Sequence, residues 1–135
     1  MKLVFFFFNA HKLAEVRHIL SQIEVVSLRD IGFLQEIDET GQTLEENSRL
    51  KAITVWQWLI SNHLDSEYNG VFADDTGLEI QALGGAPGVY SARWAGEPSV
   101  DANNRAKALR LLSDNNNRAA QFRTVITLIS HEQDL

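Results

Sequence analysis

Apolar residues fall along this chain in two alternating patterns, short unbroken runs and helical repeats. Lys2 to Phe8 is an apolar run rich in β-formers and too short for a buried helix, as expected of a central strand covered on both faces. Asn9 follows as a helix N-cap candidate, after which Leu13, Val16, Ile19 and Leu20 repeat at helical spacing as far as Ser21. Ile23 to Leu28 reads as a second strand, and Arg29 to Gly41 as a polar, acidic connection with no period of its own. Thr43 with Glu46 three residues later forms a capping-box pattern that opens a long helix. Its apolar faces, Leu44, Leu50, Ile53, Val55, Trp56 and Leu59, run to about Asn62.

Val71 to Asp75 is the next expected strand, with Leu78 to Leu83 continuing the sheet after a bend at Thr76-Gly77. In Gly84-Gly85-Ala86-Pro87-Gly88 the glycines permit positive φ and Pro87 fixes its own, so the loop is stiffened and suited to placing Val89 to Trp94. Ala102, Ala106, Leu109 and Leu112 predict a helix from Asp101 to Leu112, ended by Asp114 to Asn117, and Phe122 to Ile129 is the last strand. The alternation predicts an α/β fold, a mixed twisted sheet flanked by helices with a cleft between lobes. Internal repeats and linkers are not evident.

Composition narrows the function classes. With 135 residues, 44% of them hydrophobic, the chain can build one sizeable core, and its length argues for a single domain over 1–135. A formal net charge of -6 argues against a nonspecific grip on nucleic acid, which rests on clustered Lys and Arg. The absence of cysteine excludes disulfides and thiolate metal sites and fits a reducing compartment, so the cytoplasm is expected. Leu3 to Phe8 is too short to span a membrane and has no small-residue cleavage site after it, so no signal peptide is expected.

The most informative stretch is Val71-Phe72-Ala73-Asp74-Asp75-Thr76-Gly77-Leu78-Glu79-Ile80, an apolar run that stops on two adjacent carboxylates. Strand alternation sends Asp74 and Asp75 to opposite faces, so that one can point into a cleft while the other braces the turn or a partner. Magnesium is held by one or two carboxylates with water and phosphate oxygens, and such a carboxylate can take a proton from an attacking water. Phosphate-ester chemistry is the leading idea; a plain Asx-type turn at a strand end is the alternative.

Other segments carry two readings each. Asn9-Ala10-His11-Lys12 sits where the first strand meets the first helix, a place for phosphate or an ordinary cap with a solvated lysine. Glu46 is a capping-box residue or a second metal ligand; Lys51 lines the cleft or is a surface lysine; Arg93 makes a bidentate phosphate contact or a surface ion pair. His11, His18, His63 and His131 show no metal-ligand spacing.

In chain order, the segments Asn9-Ala10-His11-Lys12-Leu13, Thr40-Gly41-Gln42-Thr43-Leu44-Glu45-Glu46-Asn47, Leu50-Lys51-Ala52, Ala73-Asp74-Asp75-Thr76-Gly77-Leu78, Gly84 to Arg93 and Phe122-Arg123-Thr124-Val125 resemble the inosine triphosphate pyrophosphatase family. These house-cleaning enzymes hydrolyse aberrant purine nucleoside triphosphates such as ITP, dITP and XTP to the monophosphate and pyrophosphate, and the likeness covers nearly the whole chain. The resemblance implies that Asp75 is the general base and a magnesium ligand, with Glu46 completing the carboxylate pair and Asp74 in support. It implies that Asn9 and Lys12 hold the triphosphate, that Lys51 lines the same cleft, that Thr76 contacts substrate, and that Arg93 shapes the cleft wall or a homodimer contact.

Two departures stand out. The family ends its first strand in a small hydroxyl residue and then a small or amide residue, where this chain has Phe7 and Phe8, so weakened triphosphate affinity is expected. Family members also continue past the strand that begins at Phe122 into a lobe that recognises the purine base, whereas this sequence stops at Leu135, which reads as a truncated form with an exposed sheet edge. Two other functions stay in view. One is a nucleotide-binding or assembly module that has lost turnover; the other is an aspartic protease, whose Asp-Thr-Gly tripeptide is present but whose nearly all-β fold the helical patterns contradict.

Overall fold

The computed structural model describes residues 1–7 and 10–131, in which β1 (Lys2–Phe6), α1 (Ala10–Ile19), β2 (Glu24–Ser27), α2 (Leu44–Ser61), β3 (Gly70–Ile80), α3 (Asp101–Leu111) and β4 (Ala120–Ser130) follow in order. The strands form one sheet in the order β2-β1-β3-β4. β1 runs parallel to both neighbours and β4 antiparallel to β3, so the sheet is mixed, as the alternation of elements predicts.

Alternation along the central strands sets what each face buries. Val4, Phe6, Val71 and Ala73 turn to the face covered by Ala52, Val55, Trp56 and Leu59 of α2. Leu3, Phe5 and Phe72 turn to the other face, against Leu13 and Val16 of α1. There the rings of Phe5 and Phe72 stack with centroids 4.5 Å apart. Helices on both faces explain why β1 reads as an unbroken apolar run.

α2 is anchored at its start by Thr43, whose side chain accepts the Glu46 amide. It buries Leu44, Asn47, Ser48, Lys51, Ala52, Val55, Trp56 and Leu59, a stripe at spacings of three and four. Among the described residues, no helix is long and apolar enough to cross a membrane.

One expectation is corrected. β3 does not bend at Thr76-Gly77 but runs unbroken from Gly70 to Ile80, paired residue by residue with β4. Gly77 is there for clearance: a Cβ at this position would collide with the Gly88 carbonyl oxygen, which lies over the strand. The loop carrying Gly88 is fastened to the same stretch, because Ser91 Oγ accepts the Leu78 amide at 2.8 Å and donates to the Gly88 carbonyl at 2.6 Å. Phe8 and Asn9, expected to end the first strand and cap the first helix, lie outside the described residues.

Candidate functional site

The chain leaves β1 through α1 to reach β2 on one side, then returns through α2 to β3 on the other. The order of the strands therefore reverses between β1 and β3, and the crevice outside their carboxyl ends is where open α/β sheets take ligands. Phe6 is in register with Ala73, so the next two residues of β3, Asp74 and Asp75, stand at the mouth of that crevice.

The two carboxylates face different helices. Asp74 turns toward α1, where Lys12 Nζ lies 2.5 Å from its Oδ2. Asp75 turns toward α2, where Lys51 Nζ lies 3.3 Å from its Oδ1. Lys51 is only 2% exposed, and its ammonium also donates to the Asp74 carbonyl at 2.6 Å and sits 3.1 Å from Glu39 Oε1. A buried ammonium is tolerable only when opposed and hydrogen-bonded, and here a main-chain oxygen and two carboxylates meet that need. The ring of Phe6 closes the site from the sheet side, its centroid 5.6 Å from the same Nζ.

Burial pushes the Asp75 carboxyl above the usual carboxylate range, Lys51 opposes that push, and the negative charges of Glu39 and Asp74 add to it. Its other oxygen, Oδ2, is buried and has no hydrogen-bond partner among the described residues. Such an orphan costs free energy unless something occupies it, and a carboxylate oxygen can be satisfied only by a proton, a donor or a cation. The oxygen donors fit a hard divalent ion. Among the described residues no three acidic, His or Cys side chains converge into a metal cage.

Glu39 was not singled out from sequence, yet it is the second carboxylate acting on Asp75. Its segment is tied down on both sides: Arg93 Nη2 donates to the Glu39 carbonyl at 3.3 Å, and the Gly41 amide donates to Oδ1 of the buried Asn47 at 2.7 Å. Glu46, expected to complete the pair, has its Oε2 on the Gln42 amide at 2.6 Å, an N-terminal helix cap. The structure thus brings together Lys12, Lys51, Asp74, Asp75 and Glu39, with Arg93 on the main chain of the last. Thr76 stands apart, its hydroxyl 2.8 Å from that of Thr124 on β4. Asn9 lies outside the described residues.

Two signals could have exposed Glu39. Lys51 falls on the buried stripe of α2 that begins at Leu44, and a lysine on such a stripe requires a counter-charge. The acidic connection just before α2 is the nearest supply of one in the chain.

The chain is 46% identical over 130 residues to a dITP/XTP pyrophosphatase of Flavobacterium johnsoniae and 48% identical over 131 residues to that of Porphyromonas gingivalis, in each case across 95% of this chain and 63% of the relative. The chain therefore spans a little under two thirds of the length of these relatives. Among solved structures it superposes on the Staphylococcus aureus Ham1 protein with a TM-score of 0.82 at 35% identity, covering 96% of this chain and 64% of that one. A Coxiella burnetii HAM1 protein gives 0.80 at 34% identity, over 99% of this chain and 66% of that one. The family model for Ham1 matches residues 3–135, and with a shared fold and shared sequence the chain belongs to the Ham1 family.

Proposed function

We propose that this chain is the phosphate-handling part of a magnesium-dependent nucleoside triphosphate pyrophosphatase, converting purine nucleotides such as ITP, dITP and XTP to the monophosphate and pyrophosphate. The observation that carries the reading is Asp75, a burial-raised carboxylate at the strand ends with an orphan oxygen, paired with the buried Lys51 beside a second acid-lysine pair, Asp74 and Lys12. The names of the relatives, dITP/XTP pyrophosphatases, support the substrate class.

In this reading Asp75 accepts the proton of the water that attacks the α-phosphorus, and its raised pKa brings its basicity closer to the working pH. Lys12 and Asn9 hold the triphosphate at the start of α1, and Lys51 keeps the Asp75 carboxylate ionised while lining the same cleft. Asp75 and Glu46 would hold Mg2+, with Asp74 in support and Glu39 a further carboxylate beside Lys51; when bound, the ion neutralises phosphate charge and lowers the pKa of water. Glu46 keeps the loop before α2 in place by capping the helix, Arg93 fixes the main chain at Glu39, and Thr76 contacts substrate at the cleft edge. A single domain over 1–135, a cytoplasmic setting and a homodimer go with this reading.

The test is pyrophosphate release from ITP, dITP, XTP and ATP with and without magnesium. Release from the first three that needs magnesium is expected, and no release from any of them would overturn the reading. Phe7, whose ring lies 5.6 Å from that of Phe5, stands where the family has a small hydroxyl residue, and this favours one alternative, a nucleotide-binding module without turnover. Calorimetric binding of ITP without pyrophosphate release would select it.

A further inference from the structure

β2 lies at one margin of the sheet, where, among the described residues, it pairs with β1 alone. The Glu24 amide donates to the Met1 carbonyl at 3.0 Å, so the main chain of Glu24 faces inward. Main-chain groups alternate sides along a strand, and Val25 and Ser27 therefore turn their N–H and C=O groups away from β1, toward any further strand. Edges of this kind are commonly blunted with proline or lysine. β2, Glu24-Val25-Val26-Ser27, has neither, and its two valines are strong strand formers. Nor does bulk shut the margin: an open groove of about 560 Å3 lies beside it, lined by Ile23, Val25, Val26, Arg17 and Asp30.

Two side chains take those outward groups instead. Arg17, in the last turn of α1, donates from Nε to the Val25 carbonyl at 3.0 Å, and Asp30 Oδ2 accepts the Ser27 amide at 2.9 Å. Arg17 Nη2 lies 3.5 Å from the same Oδ2, and the Asp30 amide donates to Ser27 Oγ at 3.0 Å, which holds the carboxylate in place. We infer that Arg17 and Asp30 form an edge guard: they occupy an acceptor and a donor on the outer side of β2 and keep that margin from taking up a strand of another chain. An entering strand must break a guanidinium to carbonyl bond, a carboxylate to amide bond and the ion pair between them before its own ladder can form. The Ser27 amide and hydroxyl, and Arg17 after them, hold the Asp30 carboxyl below the usual carboxylate range, so the guard stays charged at neutral pH. Both side chains are about half exposed, so the ion pair itself adds little and the two main-chain bonds do the blocking. The guard owes nothing to the hydrolytic reading.

The probe is a fluorescein-labelled peptide copying Lys2–Phe6, the sequence that β2 already pairs with on its inner side, and its binding to the full chain is read by fluorescence anisotropy. Arg17→Ala and Asp30→Ala should each bind it at least about tenfold more tightly than the unmodified chain does, the factor carried by one charge-assisted hydrogen bond. Arg29→Ala is the control. It removes the same charge as Arg17→Ala from an exposed neighbouring position and should bind as the unmodified chain does. Peptide taken up elsewhere on the chain is common to all variants, so the differences report β2. Circular dichroism checks that each variant is folded, and Arg17→Gln, a milder change, replaces Arg17→Ala if that variant is not. Folded Arg17 and Asp30 variants that bind the peptide no more tightly overturn the guard. A rise in Arg29→Ala equal to that in Arg17→Ala also overturns it, since net charge would then be the cause.

Discussion

Replacing Lys51 by methionine removes an ammonium while keeping most of the side-chain bulk, and so tests whether that charge holds the crevice together. Removing one partner of a buried ion pair costs about 3–5 kcal/mol, because the remaining charge is left without compensation. The Asp75 and Glu39 side chains retain 16% and 26% exposure, so water recovers part of the loss and the lower end applies, about 3 kcal/mol. In a domain of this size each kcal/mol moves the melting temperature by roughly 4 °C, which gives a drop of about 12 °C. The pH dependence is diagnostic. Lys51 is the principal group holding the Asp75 pKa down, so its removal raises that pKa further above the unfolded value, which is about 3.9. A carboxyl raised in the folded state favours folding when protonated, and this advantage is lost as pH rises through the folded pKa. The deficit of Lys51→Met should thus be small near pH 4 and grow toward neutrality, read by urea unfolding across that range. Adding Asp75→Asn to the same chain should recover part of it. A loss under about 1 kcal/mol, or one that is the same at every pH, would refute this account of the site.

Four further outcomes are expected. Asp75→Asn should cut turnover by more than about 100-fold with an unchanged circular dichroism spectrum, and equal rates would count against its role as base. The acid limb of the pH profile of kcat/KM should lie above the ordinary carboxylate range, since burial raises the group that must be ionised; a limb at or below that range would contradict the assignment. Gly77→Ala should cost about 1–3 kcal/mol in thermal unfolding, because its Cβ must displace the Gly88 carbonyl. Ser48→Ala, which loses bonds of 3.0 Å to the Ala73 carbonyl and 2.9 Å to the Thr127 hydroxyl, should cost about 1–2 kcal/mol, and an unchanged midpoint would show that those groups find other partners.

What the sequence made legible follows the physics of burial. β1 and α2 could be read directly, because a strand covered on both faces leaves an apolar run and a half-buried helix leaves a stripe. The opposite facing of Asp74 and Asp75 followed from strand alternation alone, and each now has a lysine from a different helix. Gly77 was misread because a glycine that makes room for another backbone looks, in sequence, like one that permits a turn. Glu39 left no periodic trace: it belongs to a loop whose position is set by Arg93 and Asn47, residues far from it or beyond the next turn. Lys51 was open to reading as a surface residue because its charge, taken alone, outweighs its place on the stripe.

The unbroken course of β3 has one more consequence. Because neighbouring aspartates leave the same strand in opposite directions, each face of the sheet carries its own acid-lysine pair at the mouth of the one crevice, and Asp74 is the least of the charges that act on Asp75. Variation can therefore retune the Lys12–Asp74 pair near α1 with little disturbance to the Lys51–Asp75 pair near α2, a modularity that two carboxylates on one face of the strand would not allow.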